Sequence, residues 1–124
     1  MKIDVSIGEA LDRLSILELK LLFIKDPSQN ANVQKEYKAL KKATSALKPV
    51  PDSLYTHLKD TNARLWDIEH DIRTKERKKE FDNHFIELAR SVYKVNDLRS
   101  SIKKKINIAT NSSIIEEKHY KNEI

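Results

Sequence analysis

The stretch from Phe81 to Ile106, FDNHFIELARSVYKVNDLRSSIKKKI, carries the most regular hydrophobic pattern in this sequence. Its pattern positions recur at alternating intervals of four and three residues, the spacing of a long amphipathic helix packed along a neighbour. These positions are Phe81, Phe85, Leu88, Val92, Val95, Arg99, Ile102 and Ile106. Arg99 is the one charged member, and burying a guanidinium without a partner costs several kcal/mol. We therefore expect Arg99 to pair with a carboxylate.

The partner of Arg99 follows from antiparallel packing of this helix on the one before it. The segment Arg73–Glu80 has no apolar residue, so the sequence predicts that the chain reverses there. Counting back from this reversal places Arg99 level with Leu54, close to Asp52. We expect an Arg99–Asp52 bridge, with Glu18 as the competing partner.

Three further segments have the periodicity of helices. Their apolar patterns run from Ile7 to Ile24, from Val33 to Leu47 and from Leu54 to Ile72. Polar residues suited to capping precede the helices: Ser6 with Glu9 three residues later, Asp52 or Ser53 before the third helix, and Asp82 before the fourth. The third and fourth helices are the longer pair.

The predicted fold class is all-α. We expect an elongated antiparallel four-helix arrangement of two helical hairpins, the second longer, with a short C-terminal tail. Residues 1–110 form a single helical domain in this prediction, and residues 111–124 form a partly packed tail. The 124 residues include one Gly and no Cys, which speaks against hairpin-rich β folds and disulfide frameworks.

A second apolar stripe on the first helix suggests an interface. Ile16, Leu19 and Phe23 lie opposite its main stripe, and Trp66 adds apolar surface outside the contact pattern of the third helix. We therefore favour a non-enzymatic protein-interaction or scaffold module, with a homodimer or another protein as partner. With no apolar run of membrane-spanning length and no signal-peptide pattern at Met1–Val5, we expect a cytoplasmic protein.

A small all-helical enzyme or binder of an anionic metabolite is the alternative. The chain lacks the glycine-rich phosphate loops and nucleophile motifs of common enzymes, which leaves chemistry like that of the helical chorismate mutase. There, cations from several helices hold a dicarboxylate, and Arg13, Lys20, Arg64 and Arg99 are the candidates for that role here. If Glu18, Tyr93, Asn96 and Arg99 share one concavity, they are the expected ligand-binding residues.

Metal and nucleic-acid binding receive less support from the sequence. The four histidines offer only Glu116-x-x-His119 and Asp67-x-x-His70, neither with a helical partner, so we expect no metal and no cofactor. The net charge is +5, but Arg73–Glu80 alternates in sign and Lys103–Lys105 lacks neighbouring aromatic residues. Weak nucleic-acid binding through these basic helix faces is a second alternative, and a membrane partner is not expected.

Several stretches resemble a family of short bacterial and phage proteins described as a domain of unknown function. They are Lys2–Glu9 (KIDVSIGE), Leu14–Leu21 (LSILELKL), Leu65–Glu69 (LWDIE), Glu80–Asp97 (EFDNHFIELARSVYKVND) and Glu116–Tyr120 (EEKHY). The resemblance covers nearly the whole chain and implies a free-standing single domain. It implies no activity, cofactor or site residue.

Overall fold

Four helices make up the protein in a computed structural model that describes residues 1–47 and 49–121. They are α1 (Ile7–Phe23), α2 (Pro27–Thr44), α3 (Asp52–Lys78) and α4 (Asn83–Ala109), and these described residues contain no strand. The helices α3 and α4 have 27 residues each, against 17 and 18 for α1 and α2. The all-α fold of two hairpins, with the second longer, is confirmed.

The helix starts follow the predicted caps at two of three positions. The Ser6 hydroxyl accepts a hydrogen bond from the Glu9 amide at 3.0 Å, and the Asp82 carboxylate accepts one from the Phe85 amide at 2.9 Å. The predicted cap of α3 by Asp52 or Ser53 is wrong. Pro51 occupies the capping position without a side-chain bond, and Asp52 is already helical, where its charge favours the helix N-terminus.

The predicted reversal between α3 and α4 is confirmed. Lys79 ends α3 in the left-handed region with φ of 57°, and the Glu80 amide donates to the Lys75 carbonyl at 3.0 Å. The Lys75 ammonium lies 3.2 Å from Glu80 and 2.8 Å from Asp82. These bonds raise the pKa of Lys75, and the bond from Lys75 lowers the pKa of Asp82. We call Lys75, Glu80 and Asp82 the turn cluster.

Helix α1 lies at the centre of the molecule and packs against each of the other three helices. The core is a cluster of five buried side chains from α1, α3 and α4: Leu11, Leu14, Leu58, Ile102 and Ile106. Helix α2 packs on the outer side of α1, and its Tyr37 and Leu40 reach the same cluster. The groove of the longer hairpin therefore holds α1.

The first turn of α1 approaches α4 very closely at Gly8. A Cβ atom on Gly8 would lie 2.6 Å from the Lys103 carbonyl oxygen and 2.9 Å from Oδ1 of Asn107. The Gly8 amide donates to the same Asn107 oxygen at 2.7 Å, and the Ile7 amide donates to Ser112 Oγ at 3.2 Å. Because the two helices run antiparallel, this contact brings residues one turn further along α1 opposite the middle of α4.

The second apolar stripe of α1 is partly covered by α3. The rings of Phe23 and Trp66 stack with centroids 5.4 Å apart, while Ile16 and Leu19 are half-buried. Phe23 keeps 53% of its surface exposed. Within the described residues, every helix is too short or too polar to cross a lipid bilayer.

Candidate functional site

Arg99 pairs with Asp12, so the predicted bridge to Asp52 is wrong, and so is the competing pairing with Glu18. Arg99 Nε donates to Asp12 Oδ1 at 2.9 Å and Nη2 donates to Oδ2, which makes the pair bidentate. The bond to Asp12 outweighs burial and raises the pKa of the guanidinium. The prediction considered only the register of α3 and α4, whereas α1 inserts between them and supplies the carboxylate.

The carboxylate of Asp12 is fully buried, with 0% of the residue exposed. Asn62 Nδ2 donates to Asp12 Oδ1 at 2.9 Å and contacts Ser15 Oγ at 2.7 Å. The Ser15 hydroxyl donates in turn to the Asp12 carbonyl at 2.8 Å. Among the described residues, every buried side-chain nitrogen and oxygen has a hydrogen-bond partner. The buried charge is thus fully compensated by α3 and α4.

The sequence around Asp12 contains a second pattern, of small and polar residues, beside the hydrophobic pattern of α1. Gly8, Asp12 and Ser15 recur at spacings of four and three beside the main apolar stripe of α1, and all three are buried. A stripe of small and polar residues at helical spacing indicates a close, hydrogen-bonded helix contact. This pattern could have identified the polar centre of the fold.

The guanidinium of Arg99 has one edge that Asp12 does not use. Nη1 lies 3.5 Å from Asn96 Oδ1, a long contact, and 28% of the Arg99 side chain is exposed. Asp12 therefore holds the guanidinium in one orientation, and part of the side chain remains exposed. A cation fixed in this way is suited to receive an anionic group.

The exposed edge of Arg99 opens into a cleft of about 790 Å³ between α4 and the tail, which we call the cationic cleft. Its lining residues are Val92, Tyr93, Asn96, Asp97, Arg99, Ser100, Lys103, Lys118, Tyr120 and Lys121. Four of them are cations, and Asp97 is the only carboxylate among them. The volume lies within the range of small-molecule sites, roughly 300–1,000 Å³.

Two of the lysines are positioned by carboxylates at the edge of the cationic cleft. Lys103 Nζ bonds Glu9 and lies 4.0 Å from Asp12 Oδ2, which joins it to the Arg99 pair. Lys118 Nζ lies 2.7 Å from Asp97 Oδ1, and 5.4 Å above the ring of Tyr120. Both lysines are therefore already paired with carboxylates.

Hydrogen bonds to the helices position the tail segment that supplies Lys118 and Tyr120. Asn107 Nδ2 donates to Glu116 Oε1 at 3.3 Å, and Lys104 bonds Glu117 at 2.8 Å. Burial opposes ionisation of Glu116, but hydrogen bonds from Ser6 and Asn107 prevail, so its pKa lies below the ordinary value. The tail is therefore tied to the start of α1 and the end of α4.

A second concavity of about 560 Å³ lies between α1, α3 and α4, and we call it the apolar groove. It is lined by Ile16, Leu19, Asn62, Leu65, Trp66, Glu69, His70, Arg73, Asn96 and Arg99. Arg99 and Asn96 also line the cationic cleft, so these two side chains stand where the concavities meet. Ile16, Leu19 and Trp66, predicted as interface residues, form part of its wall.

The structure brings together three of the four predicted ligand-binding residues. Tyr93, Asn96 and Arg99 line the cationic cleft, whereas Glu18 lies elsewhere. Glu18 accepts a hydrogen bond from the Tyr55 hydroxyl at 2.8 Å and pairs with Lys59 at 2.8 Å. Burial and the nearby Glu18 charge raise the pKa of Tyr55 above its ordinary value.

The other predicted cations do not converge on Arg99. Among the described residues that line the cationic cleft, Arg13, Lys20 and Arg64 are absent. Arg13 is exposed and pairs with Glu9 on its own helix at 3.0 Å. The lysines of α4 and the tail take the positions that these residues were expected to fill. No hydrophobic periodicity indicates the position of Lys118, because the described part of the tail is not helical.

The basic segments are largely paired with neighbouring carboxylates. Arg73 bonds Glu69, Lys75 belongs to the turn cluster, and Lys103 and Lys104 bond Glu9 and Glu117. In the described part of the chain, no three His, Asp or Glu side chains are grouped so as to hold a metal ion.

Comparison with known proteins gives one match. A family model described as a family of unknown function, DUF6165, matches residues 1–124. This confirms the predicted resemblance to a domain of unknown function. No curated protein and no solved structure matches the chain.

Proposed function

The chain belongs to DUF6165, a family of unknown function, and we propose that it binds a small anionic ligand in the cationic cleft. The observation that carries the proposal is Arg99. Asp12 fixes its guanidinium from the buried side, Nη1 makes only a long contact with Asn96, and the side chain lines the cleft. Because the Arg99 side chain is already ordered in the folded protein, ligand binding costs less side-chain entropy, which favours affinity.

The charges around the cleft support an anionic ligand. Among the described lining residues, the cations are Arg99, Lys103, Lys118 and Lys121. Three of them are already paired, Arg99 with Asp12, Lys103 with Glu9 and Lys118 with Asp97, so an anion would share these cations with the carboxylates. Asn96 adds an amide, and Tyr93 is exposed on the same wall. Carboxylates and phosphates are the groups that such donors recognise.

This arrangement supports ligand binding better than catalysis. The described residues that line the cleft offer cations, one amide, one hydroxyl, one carboxylate and aromatic rings, and they include no cysteine or histidine that could act as nucleophile or general base near neutral pH. We therefore place the protein among binders of anionic metabolites.

Calorimetric titration at low salt tests the proposal, with citrate and inorganic phosphate as probes. Lys118→Gln removes one donor from the cleft, and Lys94→Gln removes one exposed charge from α4 outside it. Both variants lower the net charge equally, so their difference reports position. We expect citrate to bind roughly tenfold more weakly to Lys118→Gln, the value of one charged hydrogen bond, and unchanged to Lys94→Gln. Equal effects of the two substitutions would contradict a localised site.

Self-association is a second candidate function, favoured by the apolar end of α1. Leu22 is 63% exposed beside the partly exposed Phe23, and one face of Phe23 is covered by Trp66. In this proposal a second copy covers these side chains through a symmetric contact. Light scattering on the wild type and on Phe23→Ser tests it: a dimer that the substitution dissociates supports it, and a wild-type monomer at high micromolar concentration contradicts it.

A further inference from the structure

We infer that the ligand is an amphiphile: its anionic group binds Arg99 in the cationic cleft, and its apolar body lies in the apolar groove. This inference rests on the proposed anion binding and names the chemical class of the ligand. It is carried by the position of Arg99, which lines both concavities.

The two concavities differ sharply in chemistry although they share a boundary. Beyond Arg99 on one side stand the lysines of α4 and the tail. Beyond it on the other side stand Ile16, Leu19, Leu65 and Trp66, which form a wall of aliphatic and aromatic side chains. A ligand that filled the cleft alone would leave this apolar wall in water.

The remaining residues that line the groove are polar. Glu69, His70 and Arg73 come from α3, and Arg73 pairs with Glu69 at 3.4 Å. Asn62, at the inner end, is already bonded to Asp12 and Ser15. The groove therefore offers few free polar partners along its length, which suits an alkyl or aromatic body better than a second charged group.

The orientation of Arg99 fits a single anionic head. Nε and Nη2 are taken by Asp12, and Nη1 lies beside Asn96. One oxygen of a carboxylate or phosphate can accept from Nη1 in place of this long contact. The Asn96 amide donates to the Val92 carbonyl at 3.0 Å and keeps one N–H for the ligand. Lys103 lines the same cleft, with its Nζ bonded to Glu9 and 4.0 Å from Asp12 Oδ2.

Trp66 provides a direct reporter for the groove. It is the one tryptophan of the chain, it lines the groove, and its ring stacks on Phe23. Octanoate is the probe, with octanamide as its uncharged counterpart and acetate as the head group alone. We expect octanoate to change Trp66 emission saturably, and acetate to bind without changing it.

The dependence on charge and chain length distinguishes this site from adsorption to apolar surface. Each methylene group that enters the groove should tighten binding by about fourfold, so affinity should rise steeply from butyrate to octanoate. Octanamide should bind at least about tenfold more weakly than octanoate, because it loses a charged hydrogen bond to Arg99. Equal affinity of octanoate and octanamide would overturn the inference.

Two substitutions of aliphatic residues form a matched pair. Leu19→Ser removes part of the groove wall, whereas Ile108→Ser changes an exposed isoleucine of α4 that lines neither concavity. We expect octanoate affinity to fall about tenfold or more in Leu19→Ser and to stay within about twofold in Ile108→Ser. Equal losses in both variants would also overturn the inference. Circular dichroism and the thermal midpoint confirm that each variant is folded.

Citrate separates failure of this inference from failure of the proposed function. If citrate binds the cleft and is sensitive to Lys118→Gln, but octanoate leaves Trp66 unchanged, the ligand lacks an apolar body and only the present inference fails. If neither citrate nor octanoate binds, both proposals fail.

Discussion

The Asp12–Arg99 pair and the turn cluster both join a cation to carboxylates, yet they differ in how the chain brings these groups together. Lys75, Glu80 and Asp82 lie within eight residues around one reversal, and Asp82 is 52% exposed at its side chain. Asp12 and Arg99 are 87 residues apart, and Asp12 is fully buried. The first arrangement is local and solvated, and the second depends on three helices.

This difference favours the buried pair over the turn cluster as the binding site in our proposal. In the turn cluster, Lys75 uses its charge on two acids that close the chain reversal. In the buried pair, Nε and Nη2 of Arg99 donate to Asp12, Nη1 makes only a long contact with Asn96, and the side chain lines two concavities. Rigid support from the interior, with one side open, is the arrangement expected of a binding cation.

Removing the cation should lower the free energy of unfolding by very different amounts in the Asp12–Arg99 pair and in the turn cluster, and this is the largest difference we expect. Arg99→Ala leaves the buried Asp12 charge without its main partner, and we expect a loss of about 3–5 kcal/mol in the free energy of unfolding. Lys75→Ala should change stability little, because its acids remain hydrated. Urea unfolding followed by circular dichroism measures both.

Arg99→Lys serves as the conservative control for that comparison. It retains the positive charge but loses the bidentate geometry, so it should fall between the wild type and Arg99→Ala. Similar stabilities for Arg99→Ala and Lys75→Ala would show that the buried pair has no special role in the fold.

Gly8→Ala tests the close contact that aligns Asp12 with Arg99. The new methyl group would meet the Lys103 backbone carbonyl at 2.6 Å, and backbone cannot move aside as a side chain can. We expect a destabilisation of about 1–3 kcal/mol, seen as a lower thermal midpoint. The matched control is Ser91→Ala, since Ser91 bonds only within the exposed side of α4, and it should be nearly neutral. A stable Gly8→Ala variant would contradict the described approach of α1 to α4.

Asn62→Ala removes the amide that donates a hydrogen bond to the buried carboxylate of Asp12. Loss of its amide leaves Asp12 and Ser15 with fewer partners in the interior, which should cost about 1–3 kcal/mol. Gln34→Ala removes an exposed amide on α2 and should change stability by less than about 0.5 kcal/mol. Equal values for the two substitutions in urea unfolding would argue against a tightly coupled polar centre.

Acid should lower the free energy of unfolding by less than the substitutions above, because it acts on two carboxylates outside the core. The pKa of Asp82 lies below 3.8 because Lys75 and the Phe85 amide donate to it, and hydrogen bonds hold the pKa of Glu116 below 4.5 despite its partial burial. Because the pKa of each carboxyl is lower in the folded state than in the unfolded state, its ionised form stabilises the fold at pH values above its ordinary pKa. The contribution declines once the pH falls below about 4.5 for Glu116 and about 3.8 for Asp82, and it is lost as the pH falls through the lowered pKa of each group.

Glu116→Gln separates the tail from the turn cluster in that experiment. The variant should show a shallower fall in unfolding free energy below about pH 4.5, with the Asp82 contribution remaining. The same slope for variant and wild type would mean that the bonds of Glu116 do not link the tail to folding.

Hydrophobic spacing was sufficient to predict the four helices, because each buries one apolar stripe. The Ser6 and Asp82 caps and the reversal near Lys79 are local features, and all were predictable from neighbouring residues. The cap of α3 was predicted wrongly because three successive residues, Pro51 to Ser53, could each start a helix.

The candidate site was less accessible to sequence reasoning. Arg99 stood out as a charge in an apolar pattern, but its partner depended on which helix fills the groove of the longer hairpin. The hydrophobic stripes do not determine which helix fills this groove. Gly8 and Asp12 determine it, because they bring α1 into close contact with α4. Lys118 could not be predicted at all, since the path of a non-helical tail depends on single hydrogen bonds such as those of Glu116.

Chemical shifts of the ¹⁵N-labelled protein during a citrate titration report on the cationic cleft and the turn cluster at the same time. We expect saturable shifts at the amides of Tyr93, Asn96, Arg99 and Lys118, with no comparable change at Lys75 and Asp82. Shifts of equal size in both regions, or none around Arg99, would contradict a specific anion site in the cationic cleft.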